Sequence, residues 1–88
     1  MSSDWLDEFT NSDELKRINR KLHELDNRLR IRAITEKGKR AVSVECTVTV
    51  KGNKAVIAKL KEMGWIKLYG SMRFGYREET YRKDLEEG

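Results

Sequence analysis

The chain of 88 residues contains no proline, one cysteine and one histidine. A lone cysteine excludes an intramolecular disulfide and is typical of a protein that stays in a reducing compartment. No apolar run approaches the roughly 18 residues that a membrane-spanning helix requires, and the N-terminus lacks the basic and then apolar order of a secretory signal. We therefore expect a cytoplasmic protein that does not bind membranes.

Residues that could carry catalysis are equally scarce. His23 is expected on the outward side of a helix, and Cys46 lies in phase with four valines, which predicts a buried and inert thiol. One histidine and one cysteine do not provide the ligand spacing of a zinc site, and no glycine-rich phosphate loop is present. These absences argue against an enzyme and against a bound metal or cofactor.

The charges that are present are sorted along the chain. Residues 15–77 contain seventeen Lys and Arg against five Asp and Glu, a local net charge of +12, while the residues before and after this range carry net charges of −5 and −3. A basic body of this kind generates a positive potential that attracts polyanions. We divide the chain into an acidic N-terminal segment at 1–10, a basic domain at 11–78 and an acidic C-terminal tail at 79–88.

Apolar residues at alternating spacings of three and four predict a helix that begins after Asn11. Asn11 suits the N-cap position, with Glu14 three residues later as in a capping box. The apolar stripe consists of Leu15, Ile18, Leu22, Leu25 and Leu29. This spacing matches the a and d positions of a coiled coil over about two and a half heptads. The helix therefore either packs within the domain or pairs with a second copy in a homodimer.

Beyond this helix the apolar period changes to two, which indicates strands. Residues 30–35 and 40–50 are predicted as two strands, and a helix over 54–63 follows them. The inward face of the second strand would consist of Val42, Val44, Cys46, Val48 and Val50. The tail at 79–88 is expected to add a helical turn or to fray. The order α-β-β-α-β-β predicts a single small α+β domain with a four-stranded, mainly antiparallel sheet and its helices on one face.

Residues 65–77 combine four aromatic residues with three bases and predict a hairpin that turns at Gly70-Ser71. A two-residue loop would place all four aromatic side chains on one face. A three-residue loop separates apolar from cationic residues better, and we favour it. Its outward face, beside Thr47 and Thr49, would contain Trp65, Lys67, Tyr69, Arg73 and Arg77.

Aromatic rings beside cations provide stacking planes for bases and charge for phosphates. We therefore predict a small nucleic-acid-binding regulatory protein that acts by occupancy, with the choice between DNA and RNA left open. With roughly six phosphate contacts, the logarithm of its affinity should fall with the logarithm of salt concentration at a slope of about −5. The predicted contact residues are Lys16, Arg20, Arg30, Arg32, Lys37, Lys39, Arg40, Lys67, Tyr69, Arg73 and Arg77.

The alternative is a protein-binding inhibitor or adaptor that docks on a larger partner, which could itself handle nucleic acid. Its contact residues would come from the acidic N-terminal segment and the first helix. They are Trp5, Leu6, Phe9, Leu15, Ile18, Leu22 and Leu25. Deleting residues 1–10 should abolish partner binding under this alternative, whereas binding to nucleic acid should persist.

Overall fold

The computed structural model describes residues 4–35 and 38–85. Its elements are a 3-10 helix Asp4–Glu8, α1 Ser12–Leu25, β1 Arg32–Thr35, β2 Ala41–Thr49, α2 Lys54–Glu62, β3 Ile66–Arg73 and β4 Tyr76–Asp84. All strand pairs are antiparallel, and the sheet order is β1-β2-β4-β3. The predicted α+β domain with a four-stranded antiparallel sheet and two helices is confirmed. No helix among the described residues has the length and apolar character needed to cross a membrane.

The alternating apolar residues of β2 place one face of the sheet in the core. Val44, Cys46 and Val48 are buried. Paired residues of antiparallel neighbours share a face, so Tyr81 of β4, which pairs with Cys46, lies on this face too. The helices add Leu15, Ile18, Leu22, Ile57 and Leu60 to the same cluster. Both helices therefore pack on one face of the sheet, and neither covers the opposite face.

The start of β2 departs from strict alternation. Val50 is partly buried against the core as predicted, but Val42 is 38% exposed and Ala41 is buried instead. The register between β1 and β2 shifts between Ile34 and Thr35. One extra residue in a strand reverses which side chains face the core. The prediction of an inward Val42 is wrong for this reason.

The helix α1 ends at Leu25, earlier than the predicted stripe, and Leu29 is buried in the segment that leads to β1. Leu15, Ile18 and Leu22 are buried in the core of their own domain. In this fold their side chains are not exposed to a second copy or to a protein partner. The structure thus favours the intradomain alternative for the stripe, and dimerisation stays a prediction.

Asn11 takes the N-cap position of α1, but its side chain does not cap the helix. Its Nδ2 donates to the backbone oxygen of Ala41 at 2.9 Å, and its Oδ1 accepts from the backbone nitrogen of the same residue at 3.1 Å. The predicted capping box is therefore wrong, and Asn11 instead joins the start of α1 to the start of β2. Asn53, before α2, similarly donates to the Thr49 carbonyl at 2.8 Å.

The acidic N-terminal segment packs on the domain. Leu6 is fully buried, and Asp7 forms an ion pair with Lys16. The rings of Trp5 and Phe9 meet edge to face with their centroids 6.0 Å apart. Of the residues predicted to contact a protein partner here, Leu6 belongs to the core, whereas Trp5 keeps 41% of its surface exposed.

The strand β4 extends to Asp84, so the expected helical turn or frayed tail is wrong for residues 79–84. Tyr81 is buried within this strand. Charged residues on both sides of it hide the alternation, because a charged side chain gives no apolar pattern even where it faces the helices. Lys83 illustrates this, since its Nζ donates to the Met63 carbonyl at the end of α2 at 2.7 Å. Residues 86–88 lie outside the described part of the chain.

The hairpin of β3 and β4 turns at Phe74-Gly75, and both predicted registers about Gly70-Ser71 are wrong. Arg73 pairs with Tyr76, which leaves a two-residue loop. The two loop residues have φ values of 50° and 80°, as a type I′ turn requires. Glycine adopts a positive φ at little cost, so the glycine of this pair favours a turn here.

Candidate nucleic-acid interface

One end of the sheet collects exposed rings and cations. The backbone N–H of Val50 donates to the Arg77 carbonyl at 2.9 Å, and the Lys51 ammonium lies 5.9 Å from the ring centroid of Tyr76. We call the following exposed set the hairpin end: Lys51, Met72, Arg73, Phe74, Tyr76 and Arg77. Within the described part of the chain, neither Lys51 nor Arg73 forms an ion pair with a carboxylate.

Phe74 lies at the tip of the hairpin end, where 87% of its surface is exposed. Its φ of 50° lies in the left-handed region, which costs a residue with a Cβ roughly 1–2 kcal/mol. The Arg73 guanidinium carbon lies 5.4 Å from the ring centroid, within the range of cation–π attraction. Neither burial nor backbone preference explains an aromatic residue at this position. The ring is therefore better suited to contact a ligand than to stabilise the fold.

Among the described residues, Glu79 carries the only carboxylate within 4.0 Å of a cation of the hairpin end. Arg77 approaches it at 3.9 Å, whereas Lys67 pairs with it at 3.1 Å. The Tyr81 hydroxyl donates to it at 2.6 Å. This hydrogen bond, followed by the one from Lys67, lowers the pKa of Glu79. Lys67 and Tyr81 therefore hold the charge of Glu79, and Arg77 stays available to a ligand.

The favoured register predicted five residues on the uncovered face of the sheet, and this grouping is wrong. Trp65 is buried. Lys67 pairs with the buried Tyr81 and so faces the helices. Arg77 alternates with Glu78 and faces the same side. Only Tyr69 and Arg73 of the five lie on the uncovered face, because the bulge and the loop at 74–75 set a different register.

Two other cations on that uncovered face are paired with carboxylates. Arg32 forms an ion pair with Glu45, and Arg82 Nε lies 3.3 Å from Asp84. The hydrogen bond to Glu45 is the main cause that raises the pKa of Arg32, and Tyr69 contributes less. The ring of Tyr69 is 52% exposed. Away from Arg73, this face therefore offers the ring of Tyr69 beside cations that are already paired.

The predicted bases of the first turn lie at the other end of the sheet. Lys39 and Arg40 precede β2, whose last residues reach the hairpin end. Lys37 lies outside the described residues. Because β2 spans nine residues at about 3.3 Å each, the two basic turns are roughly 30 Å apart. They do not form one contact surface.

The remaining predicted bases belong to α1 and to the segment that follows it. Lys16 forms an ion pair with Asp7. Arg20 is exposed on α1. A guanidinium nitrogen of Arg30 lies 3.2 Å from Nε2 of His23. His23 is half-buried, although the sequence predicted an outward position for it. None of these bases joins the hairpin end.

The Cys46 thiol is not activated for catalysis. Cys46 is buried as predicted, and burial raises the pKa of its thiol to about 12. The thiol therefore stays protonated at neutral pH and is a poor nucleophile. Within residues 4–35 and 38–85, no three His, Cys, Asp or Glu side chains are placed to hold a metal ion.

The predicted contact set left out Lys51, Met72, Phe74 and Tyr76. The dipeptide Phe74-Gly75 between two alternating segments was the available signal, since glycine at the second loop position favours a type I′ turn. The position of Lys51 depends on the pairing of β2 with β4, which no local pattern reveals. No family model, curated protein or solved structure matches this chain, so its function is inferred from this surface.

Proposed function

We propose that the protein binds nucleic acid through the hairpin end and acts by occupancy. The observation that carries this proposal is the Phe74 ring, which is 87% exposed at the tip of the loop and lies beside the Arg73 guanidinium. A ring beside cations can stack on an unpaired base while the cations contact phosphates. An apolar side chain on a projecting tip can also wedge between base steps of a duplex.

The cations of the hairpin end determine the expected salt dependence. Lys51, Arg73 and Arg77 supply three phosphate contacts, because the predicted bases outside the hairpin end are paired or lie elsewhere. For single-stranded nucleic acid, three contacts predict a slope of about −2 for log affinity against log salt. Six contacts on the same single strand would give a steeper slope of about −4. Stacking on Phe74 adds roughly 1–3 kcal/mol per base and depends little on salt.

Fluorescence anisotropy with a labelled single-stranded oligonucleotide tests this proposal. Phe74→Ala should weaken binding roughly 5- to 150-fold, which corresponds to the loss of one stacked base. Arg73→Gln should weaken binding and make the salt slope shallower by about 0.7. Lys59→Gln is the matched control, since Lys59 is exposed on α2, away from the hairpin end. The proposal would be contradicted if Arg73→Gln and Lys59→Gln lost affinity for the oligonucleotide equally, or if Phe74→Ala kept full affinity.

A protein partner is the second candidate, and the exposed apolar residues of β3 favour it. Ile66 is 59% exposed and Met72 is 68% exposed. The strand β3 lies at the edge of the sheet, where unpaired backbone groups can accept another strand. Ile66 lies outside the hairpin end, so contact with nucleic acid does not account for its exposure. Under this alternative, an extended segment of the partner adds to the sheet.

A pulldown with and without nuclease separates the two candidates. Captured material that disappears after nuclease treatment supports nucleic acid, whereas a partner that persists and is lost in Ile66→Asp supports protein binding. Deletion of residues 1–10 is not a clean test, because Leu6 is fully buried and its removal would destabilise the domain. Trp5→Ala changes the N-terminal segment while it leaves Leu6 in place.

A further inference from the structure

The edge strand β3 has a glycine near its middle. No strand among the described residues pairs with the outer edge of β3, and all eight of its residues are exposed. Gly70 weakens such a strand, because glycine loses more conformational freedom on folding than other residues and offers no side chain to pack. A glycine inside a strand often marks a place where a ligand or another backbone approaches closely.

The fold itself does not require glycine at position 70. Its φ does not lie in the left-handed region, unlike that of Gly75, so other residues could adopt the same backbone. A Cβ atom there would lie 3.6 Å from the Glu78 carbonyl oxygen and 4.0 Å from Nη2 of Arg77. These are ordinary van der Waals distances. Neither the backbone conformation nor crowding therefore explains the glycine.

The missing side chain leaves a notch on the helix side of β3. Gly70 pairs with Glu79 and, like Lys67, lies on this side of the sheet. The notch has a volume of about 340 Å³, and its walls include Lys67, Met72 and Arg77. An aromatic side chain on a neighbouring strand can cover a glycine of this kind. None from another strand of residues 4–35 and 38–85 lies within 4 Å of the Cβ position, so the notch is open to the ring of an added strand.

The charge around the notch indicates an acidic partner. The strand β3 contains Lys67 and Arg73 and no carboxylate, and Arg77 lies beside it on β4. In the described part of the chain, Glu79 has the only carboxylate within 4.0 Å of these cations, so three positive charges and one negative charge leave a local net charge of +2. A second copy fits poorly, because two β3 strands paired about Gly70 would place Lys67 of one copy opposite Arg73 of the other.

We propose that β3 binds an extended acidic segment of another protein, and that an aromatic side chain of this segment fills the notch over Gly70. The segment adds to the sheet as a fifth strand, through hydrogen bonds to the outer edge of β3. Lys67 and Arg73 each lie three residues from Gly70. Carboxylates three residues before and after the aromatic residue therefore lie opposite these cations in either strand direction. The inference rests on the protein-binding candidate, whose partner it names, and does not depend on the binding of nucleic acid.

The probe is a capped, fluorescently labelled heptapeptide, Glu-Val-Thr-Phe-Thr-Val-Glu, whose binding to the full chain is measured by anisotropy. The same peptide with alanine in place of phenylalanine should bind roughly fivefold to tenfold more weakly, because the notch covers one side of the ring. Lysine in place of both glutamates should weaken binding roughly tenfold at low salt. Hydrogen exchange of backbone amides within residues 66–73 should slow when the first peptide binds.

Gly70→Val fills the notch from within the strand. This variant should bind the phenylalanine peptide roughly fivefold to tenfold more weakly and the alanine peptide as the unmodified chain does. It should melt at no lower temperature, since valine favours strands, and should keep its affinity for the oligonucleotide, because Gly70 lies outside the hairpin end. Thr49→Val is the matched control, since it adds valine on β2, two strands from the edge, and should leave peptide binding unchanged.

The aromatic contact at Gly70 is overturned if the alanine peptide binds as tightly as the phenylalanine peptide, or if Gly70→Val keeps full affinity or melts lower. Sedimentation of the chain as a dimer that Gly70→Val dissociates would replace the acidic segment with a second copy. If none of the three peptides binds, strand addition at β3 is itself refuted. The oligonucleotide titration of Phe74→Ala tests the binding of nucleic acid separately.

Discussion

Replacing Phe74 with asparagine should stabilise the fold while it weakens binding. The φ of 50° costs phenylalanine roughly 1–2 kcal/mol, whereas asparagine tolerates this conformation and with a following glycine forms a preferred type I′ pair. Because the ring is 87% exposed, its removal loses little burial. The contact with Arg73, an exposed cation–π pair, is worth about 0.5–1 kcal/mol. The free energy of unfolding should therefore rise by about 0–1.5 kcal/mol, and the middle of this range, about 0.75 kcal/mol, raises Tm by about 3–6 °C.

Thermal unfolding followed by circular dichroism, in parallel with anisotropy, measures both effects. Phe74→Asn should melt at a higher temperature than the unmodified chain and bind an oligonucleotide more weakly. Phe74→Ala is the control, since it removes the same ring but keeps a residue that disfavours positive φ. The reasoning is refuted if Phe74→Asn melts no higher than Phe74→Ala, because the backbone at this position would then store no strain.

Three further predictions concern the core and its connections. Burial raises the pKa of the Cys46 thiol to about 12, so an alkylating reagent at pH 8 should modify it only after unfolding, and mass spectrometry showing rapid modification of the native chain would contradict this. Burial, followed by the hydrogen bond to Glu79, raises the pKa of Tyr81 from 10.0 to about 12. Its contribution to stability is complete below pH 10 and is lost as the pH rises toward 12, so urea denaturation across this range should show a loss that Tyr81→Phe lacks. Asn11→Ala should lower the free energy of unfolding by about 1–3 kcal/mol, because both hydrogen bonds to Ala41 are lost; an unchanged urea midpoint would show that these bonds contribute nothing net.

The inward face of β2 was predictable because its signal is local. Val44, Cys46 and Val48 alternate with polar residues, and period two places them on one face wherever the strand lies in the sheet. The same logic failed at Val42, since a register shift between strands is a property of the pair and not of either sequence. The sequence of a single segment is enough to predict that a strand exists, whereas the register depends on the sequences of both paired strands.

The hairpin end could not be predicted for a related reason. Gly70-Ser71 and Phe74-Gly75 are both plausible turns, and choosing between them requires knowing how far β4 extends toward the C-terminus. Tyr81 pairs with Cys46 of β2 on one side and with Lys67 of β3 on the other, and the register between β3 and β4 leaves the loop at residues 74–75. The charged residues around Tyr81 conceal that it belongs to a strand. The candidate site consequently moved from the centre of the predicted hairpin to its tip.

The net charge of a segment does not determine where a polyanion binds. The basic body contains far more cations than acids, yet Glu45, Glu79 and Asp84 stand beside cations on the sheet and reduce its positive charge there. What distinguishes the hairpin end is that unpaired cations coincide with an exposed ring at a position where the backbone conformation disfavours that residue. Charge alone attracts any polyanion, whereas a ring held among cations contributes contacts that bulk charge cannot. Phe74 is therefore the residue whose removal should separate specific contact from general electrostatic attraction.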